Sequence, residues 1–396
     1  MKILIAEDER VTRRSLARRL QRWGHSVVEA ADGAQAWKQF QQERFDIVLT
    51  DWDMPEVDGL EVIQHIRGNA SGDYTYLIML TGRSEKSDLV AGMEAGADDF
   101  LTKPFDANEL RVRLNAGQRI IELERELAAQ NLSLSEANAR MKRDLDAAAA
   151  IQRDLLPRNI PESTGAHFAW HFEPCDELGG DILNVLPLDD RYTAFYLLDV
   201  SGHGVPAALL SVTLSRVLGS ADSAPSLLLT SDGVASNAVV TSPREVAREL
   251  NRRFPMSAQQ NMYFTLIYAV FDNRELIMRY VVAGHPPPLL ARDGAAPTPL
   301  EGRGFAIGFF EDADFDEHAI ELQPGDRLYF YSDGITEARN ADDAMLETDG
   351  MIRLIEQSRT RPLDENVAVC VEDLRRWCAS VPLGDDVSLL ALEVSS

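Results

Sequence analysis

The chain has 396 residues, 45% of them hydrophobic and 26% charged, which implies two or three ordinary globular cores. Its 64 acidic residues against 39 basic ones leave a net charge of -25, which excludes a binder of nucleic-acid backbones or of anionic lipid surfaces. Cys175, Cys370 and Cys378 show no metal-ligand spacing, Glu7 and Asp8 come too early for an export signal, and no run reaches the roughly 20 apolar residues that span a bilayer, so a cytoplasmic protein is expected.

The first segment alternates short apolar runs with helical periods. Residues 2–6 (KILIA) read as a buried strand, and Val11, Leu16 and Leu20 follow at helical spacing. Residues 27–29, 45–50, 77–81 and 100–101 read as four further strands with helices between them. This pattern predicts an α/β domain built on a five-stranded parallel, doubly wound sheet, with ligands at the carboxyl ends of its strands. Glu7 and Asp8 end the first strand, Asp51 the third and Thr81 the fourth, and Lys103 follows the fifth. Carboxylates gathered on one sheet edge repel one another, and a hard cation such as Mg²⁺ relieves that best. Asp51 then reads as a nucleophile toward a phosphoryl donor, with Lys103 neutralising developing charge and Thr81 bonding to the acyl phosphate.

The stretches LIAEDER, DIVLTDWDMPEVDGLEVIQHIR, LTG and GADDFLTKPF together resemble the receiver domain of two-component response regulators, over residues 1–118. The resemblance implies that a histidine kinase phosphorylates Asp51. It also implies that Glu7, Asp8, Asp51 and the main-chain carbonyl of Asp53 surround Mg²⁺, and that Thr81, Phe100 and Lys103 form the switch.

From Gly117 to Leu156 there is no proline, and Ile120, Leu127, Leu134, Met141, Ala148 and Leu155 recur every seven residues. Leu123, Ala137, Leu145 and Ile151 partly fill the companion stripe, while Gln130 and Asn131 interrupt it. The period predicts one long helix over 119–157 that pairs with a second copy as a coiled coil, ended by Pro157 and Pro161. Packing of the helix on its own domain is the alternative.

The remaining segment, residues 158–396, reads as α+β, a β-sandwich flanked by helices. Strands are predicted at 167–174, 182–188, 192–200, 262–271, 275–283, 327–331 and 387–394, and helices at 206–218, 243–254, 351–357 and 365–379. Residues 220–241 lack a clear period and read as a mobile insertion over the surface. Four acidic motifs stand out: Gly179-Gly180-Asp181, Asp199-Val200-Ser201-Gly202-His203-Gly204, Ser332-Asp333-Gly334 and Gly384-Asp385-Asp386. Asp181 is placed at a strand start and the other three motifs at strand ends. Aspartates from distant strands, without clustered His or Cys, favour two Mg²⁺ or Mn²⁺ ions over Zn²⁺. Any one of these motifs alone also reads as a turn.

Together with AAAIQRDLLP, FTLIYAVFD and YVVAGHPPPLL, these motifs resemble the PPM (PP2C-like) phosphatases of the SpoIIE and RsbU type. The resemblance implies metal-dependent hydrolysis of phosphoserine or phosphothreonine on a protein. It assigns Asp199 as the bridging ligand with the Val200 carbonyl beside it, and places Asp181, Asp333 and Asp385 around the ions. Asp386, His203, Gly202 and Gly204 are neighbours. Two departures are Asn184, where an aspartate is frequent, and Cys175, read as a small buried residue. His285 is expected to hold a loop, and His25 and His171 to be ordinary strand residues.

The implied substrate is a phosphorylated anti-sigma factor antagonist of the STAS type, carried on a separate chain. The layout also resembles RssB-type regulators, those of pseudomonads most closely. That resemblance supports an alternative in which the protein is a non-catalytic adaptor that binds a sigma factor for proteolysis. The enteric form of that family has lost the metal aspartates, which all stand here.

Overall fold

The computed structural model describes residues 1–69, 74–82, 86–157, 165–219, 227–231, 238–259 and 261–395. Contacts divide the chain into two units, Met1–Arg140 and Met141–Ser396.

In the first unit the elements follow one another as β1 (Lys2–Ala6), α1 (Arg10–Arg22), β2 (Ser26–Ala30), α2 (Gly33–Gln42), β3 (Ile47–Asp51), α3 (Gly59–Gly68), β4 (Tyr76–Thr81), α4 (Lys86–Glu94), β5 (Asp99–Thr102) and α5 (Ala107–Arg153). The five strands pair in parallel in the order β2-β1-β3-β4-β5. Alternate strand residues feed opposite cores. Ile3, Ile5, Ile47, Leu49, Ile78 and Leu80 meet α1 and α5, while Leu4, Val48, Leu77 and Met79 meet Val62, Ile63 and Ile66 of α3. Asp58 caps α3, accepting from the Glu61 N–H while Glu61 reaches back to the Asp58 N–H. Val11, which shares the helical spacing of Leu16 and Leu20, is 75% exposed; only Leu16, Ala17 and Leu20 of α1 are buried, because the helix presents that narrower face to the sheet. His25 stands in the turn before β2, not in a strand, and donates its backbone N–H to the Leu20 carbonyl.

The long helix begins earlier and ends sooner than the heptad pattern predicts, running from Ala107 to Arg153 and stopping four residues short of Pro157; Pro161 lies outside the described residues. Leu110, Leu114 and Ile121 pack into the first unit. Leu123, Leu127, Leu134 and Met141 are all more than half exposed. The seven-residue stripe does not continue as one face beyond them. Leu145, Ala148 and Ala149 pack with Leu178 and Ala208 of the second unit, and Leu155 lies past the helix end against that unit's core.

The second unit contains β6 (Ala166–Glu173), β7 (Ile182–Pro187), β8 (Tyr192–Val200), α6 (Val205–Gly219), β9 (Leu229–Ser231), β10 (Ala238–Val240), α7 (Pro243–Arg253), β11 (Phe264–Asp272), β12 (Ile277–Ala283), β13 (Leu289–Ala291), β14 (Thr298–Pro299), β15 (Glu317–Glu321), β16 (Arg327–Tyr331), α8 (Asp333–Thr336), α9 (Glu347–Gln357), α10 (Leu363–Cys378) and β17 (Val387–Val394). Two five-stranded antiparallel sheets, β15-β12-β11-β8-β7 and β14-β13-β16-β17-β6, form a sandwich. Phe195 of one sheet meets Phe168 and Phe330 of the other edge to face, with ring centroids 5.4 and 5.1 Å apart. The alternation in β16 is explicit: Leu328 and Phe330 face this core, while Tyr329 and Tyr331 face α9 and α10. The segment 220–241 is not all surface insertion. Its residues 220–226 and 232–237 lie outside the described residues, but Leu227 and Leu228 are buried in the core and β9 pairs with β10.

Candidate active site

In the first unit the parallel strands deliver Glu7, Asp8 and Asp51 to one edge, their carboxylate oxygens within 4.8 Å of one another. Lys103 Nζ donates to Glu7 Oε2 at 2.7 Å and to Asp51 Oδ2 at 2.8 Å. The Trp52 N–H donates to the other Asp51 oxygen at 2.9 Å. Burial raises the pKa of Glu7, opposed by the Lys103 hydrogen bond. Burial acts downward on Lys103, but its hydrogen bonds to Asp51 and Glu7 win and hold it above its ordinary value. Asp8 is exposed, Thr81 is buried at the end of β4, Phe100 is half-buried on β5, and Asp53 is exposed just past β3. Arg13, absent from the sequence expectations, donates Nη1 to the Glu7 and Asp8 carbonyls at 2.6 and 3.1 Å and so fixes the end of β1.

In the second unit the four acidic motifs converge from both sheets. Asp199 is the penultimate residue of strand β8 and Asp333 opens α8, while Asp181 stands just before β7. Asp385 and Asp386 precede β17 and therefore stand at a strand start rather than the expected strand end. Asp386 is buried, and its role is structural as well as electrostatic. Its Oδ2 accepts from the N–H groups of Gly180 at 2.6 Å and Asp181 at 3.2 Å, and its Oδ1 from the Cys175 N–H at 2.8 Å. Ser332 Oγ donates to the Asp386 carbonyl at 3.1 Å and accepts from the Ser388 N–H at 3.0 Å, which ties the third motif to the fourth across the paired ends of β16 and β17. Glycine is required where backbones touch. A Cβ on Gly334 would lie 2.1 Å from the Asp386 carbonyl oxygen, and one on Gly180 would lie 2.9 Å from that of Val200. Gly202 and Gly204 have φ of +88° and +78° in the turn that carries His203.

The electrostatics show how closely the carboxyls crowd. Burial, then the charges of Asp199 and Asp386, push the pKa of Asp181 well up. Burial, then Asp333 and Asp385, push Asp199 up to about 7. Burial, then Asp385 and Glu337, push Asp333 up to about 6, and burial also raises Asp385. Asp181 Oδ2 and Asp333 Oδ1 are buried with no hydrogen-bond partner among the described residues. Orphaned, mutually repelling carboxylate oxygens fit a divalent cation with oxygen ligands.

Several neighbours correct or extend the sequence reading. Cys175 is half-buried, not enclosed, and burial followed by the Asp386 charge pushes its thiol up to about 12, the wrong state for a hard-metal ligand. His203 is exposed, with Nδ1 3.1 Å from Asp176 Oδ2. His285 is buried, with Nδ1 2.6 Å from Thr265 Oγ1, and Thr265 is the cross-strand partner of Asp199. Burial lowers its pKa to about 3, so the ring is neutral. Asn184 donates Nδ2 to the Leu155 carbonyl at 3.0 Å. Gln152, near the end of α5, was missed. It is buried, its Nε2 donates to the Gly179 carbonyl at 2.7 Å and Ser211 Oγ at 3.2 Å, and its Oε1 accepts from the Gly179 N–H at 3.2 Å. The one signal available was its place inside AAAIQRDLLP, where the heptad pattern drew attention to the apolar positions instead.

Comparison with known proteins follows the same division. Residues 3–115 match the response regulator receiver domain family, and 189–395, just over half the chain, match the family described as Stage II sporulation protein E (SpoIIE). The Asp181 motif lies outside that second match. "Response regulator MprA" of Mycobacterium tuberculosis is 43% identical over 116 residues, covering 29% of this chain and 50% of that protein. Its counterpart in Mycobacterium ulcerans is 39% identical over 135 residues, covering 34% and 57%. The chain thus spans about half the length of the curated relatives it matches. The solved "SiaA-PP2C domain of Pseudomonas aeruginosa" superposes with a TM-score of 0.54 at 22% identity, covering 65% of this chain and 98% of that one, which shows the fold. The chain belongs to the SpoIIE family, a protein phosphatase family of PP2C fold that implies divalent metal use, and carries a response regulator receiver domain ahead of it.

Proposed function

We propose that this protein is a response regulator in which phosphorylation of Asp51 controls metal-dependent dephosphorylation of phosphoserine or phosphothreonine on a protein. The observation that carries the reading is the convergence of Asp181, Asp199, Asp333 and Asp385, with Asp181 Oδ2 and Asp333 Oδ1 buried and without a hydrogen-bond partner among the described residues. Two Mn²⁺ or Mg²⁺ ions would be held by these four side chains and the Val200 carbonyl, and Mg²⁺ in the receiver by Glu7, Asp8, Asp51 and the Asp53 carbonyl. Such ions supply Lewis acidity toward phosphoryl oxygens and make water more acidic. The chain's own part is to hold the donors rigidly. Asp386 clamps the Gly179–Asp181 turn, Ser332 braces Asp386, and Lys103 offers a positive charge beside Asp51.

A histidine kinase would supply the phosphoryl group. The resemblance to RsbU-type proteins makes a phosphorylated STAS-domain anti-sigma factor antagonist the proposed substrate. The exposed Leu123, Leu127, Leu134 and Met141 support a homodimer paired along α5, through which the receiver state reaches Gln152.

The test is hydrolysis of p-nitrophenyl phosphate by the full chain with Mn²⁺. Turnover is expected to need the metal and to vanish in Asp199→Asn while the circular dichroism spectrum is kept. Equal turnover in that variant would refute the reading. Absence of any turnover, together with a phosphorylation-dependent complex with a sigma factor, would move the assignment to the adaptor.

A further inference from the structure

Three phenylalanines stand in the open on the loop between β14 and β15: Phe305 is 57% exposed, Phe309 43% and Phe310 47%. Their rings form one cluster, with Phe305–Phe310 and Phe309–Phe310 centroids each 4.8 Å apart, and Tyr263 joins it 5.3 Å from Phe309. Contiguous exposed aromatics cost solubility and mark interaction surfaces.

The backbone beneath them is pinned. Buried Asn251 accepts from the Gly308 N–H at 2.7 Å and donates to the Phe310 and Glu311 carbonyls at 2.9 and 3.1 Å. Ile307 bridges to Phe264 at the start of β11, and the Met256 N–H donates to the Gly308 carbonyl. The rings are therefore presented by a fixed loop, which lowers the ordering cost of binding.

The cluster also runs into the metal-site turn. The Ser201 N–H donates to the Tyr263 carbonyl at 2.9 Å, and the Tyr263 N–H donates to Ser201 Oγ at 3.0 Å, two residues past Asp199. Glu311 and Asp312 follow Phe310 directly in the chain, are exposed and form no ion pair among the described residues, which gives the cluster an acidic rim. With a chain charge of -25, that acidic rim attracts a basic segment.

We propose that Phe305, Phe309, Phe310 and Tyr263 form the docking surface for the phosphoprotein substrate, receiving an apolar side chain next to its phosphoserine, with a basic neighbour held by Glu311 and Asp312. This rests on the phosphatase reading above. The surface selects by sequence around the phosphoserine, whereas the metal site acts on any phosphate ester that reaches it.

The test uses the full chain with Mn²⁺ and three probes: p-nitrophenyl phosphate, a phosphoserine peptide flanked by leucine and lysine, and the same peptide with glycine at both flanks. The wild type is expected to prefer the leucine–lysine peptide by roughly tenfold in kcat/KM. Phe309→Ala/Phe310→Ala should erase that preference through KM and leave p-nitrophenyl phosphate turnover unchanged, which also reports intact folding. Glu311→Gln/Asp312→Asn should lose only the share due to lysine. Retention of the wild-type preference in the phenylalanine variant overturns the proposal. So does a rise in its p-nitrophenyl phosphate turnover, which would mean the patch is covered by this chain's own segments, or a fall in its solution mass, which would mean it is covered by a second copy. Absence of turnover on all three probes in the wild type removes the phosphatase reading and this one with it, whereas turnover on all three without a peptide preference removes this one alone.

Discussion

Asp386 shows how one side chain shapes a site without being its most reactive group. Its carboxylate gathers three backbone N–H groups from a segment about two hundred residues away in sequence and turns Asp181 toward Asp199. Asp386→Ala would strand those donors in a buried place. We expect a loss of at least about 2 kcal/mol in urea unfolding and weaker Mn²⁺ binding by titration calorimetry. The crowded carboxyls also make the metal-free protein sensitive to pH. A carboxyl whose pKa is higher folded than unfolded binds its proton more tightly in the fold. Its stability contribution is complete below the ordinary carboxylate range and is lost as pH rises through about 6 for Asp333 and about 7 for Asp199. Thermal unfolding with a chelator should therefore show a melting temperature that falls between about pH 4 and about pH 7, with Mn²⁺ abolishing the fall. A melting temperature flat across that range would contradict it.

At the scale of the element, α5 has three different surroundings along its 47 residues. Its first turns fill the receiver core, its middle is exposed and its last turns join the second unit, where Gln152 bonds both polar groups of Gly179. Those bonds place the helix one residue from the Gly180–Asp181 turn. Gln152→Ala leaves two buried backbone groups unsatisfied, each at about 1–3 kcal/mol. The expected outcome is a Mn²⁺ requirement shifted to higher concentration, with Asp51 labelling by a small phosphoryl donor unchanged. An unaltered Mn²⁺ titration would show that the helix end does not bear on the site.

At the scale of the whole chain, the two units carry two acidic centres of different design. The receiver edge answers its carboxylates with Lys103, whereas among the described residues the second site places no lysine or arginine against Asp181, Asp199 or Asp333. On the proposed reading, the first would take a transient phosphoryl group and the second resident divalent cations. Beryllofluoride is expected to change the p-nitrophenyl phosphate rate of the full chain, and Asp51→Asn to remove that change while keeping the basal rate. An equal beryllofluoride response in Asp51→Asn would place the effect outside the receiver.

The sequence by itself determined what has a local period or a compact motif. Strands Tyr192–Val200, Arg327–Tyr331 and Val387–Val394 were legible to the residue, because alternation along a strand is written in neighbouring positions. The receiver edge was legible because parallel strands carry their last residues to one side. The strands β9, β10, β13 and β14 were not read, since two or three residues hold too little pattern, nor was the edge strand β15, whose EHAIE has no buried residue to mark an alternation. The end of the heptad stripe escaped as well, because Ala148 and Leu155 satisfy a coiled-coil period and a domain core equally well. Only the tertiary structure decided what Asp386, Gln152 and Asn184 hold and that Phe305, Phe309 and Phe310 stand together in the open. Those facts depend on which distant backbone each side chain meets, and packing decides that, not local propensity.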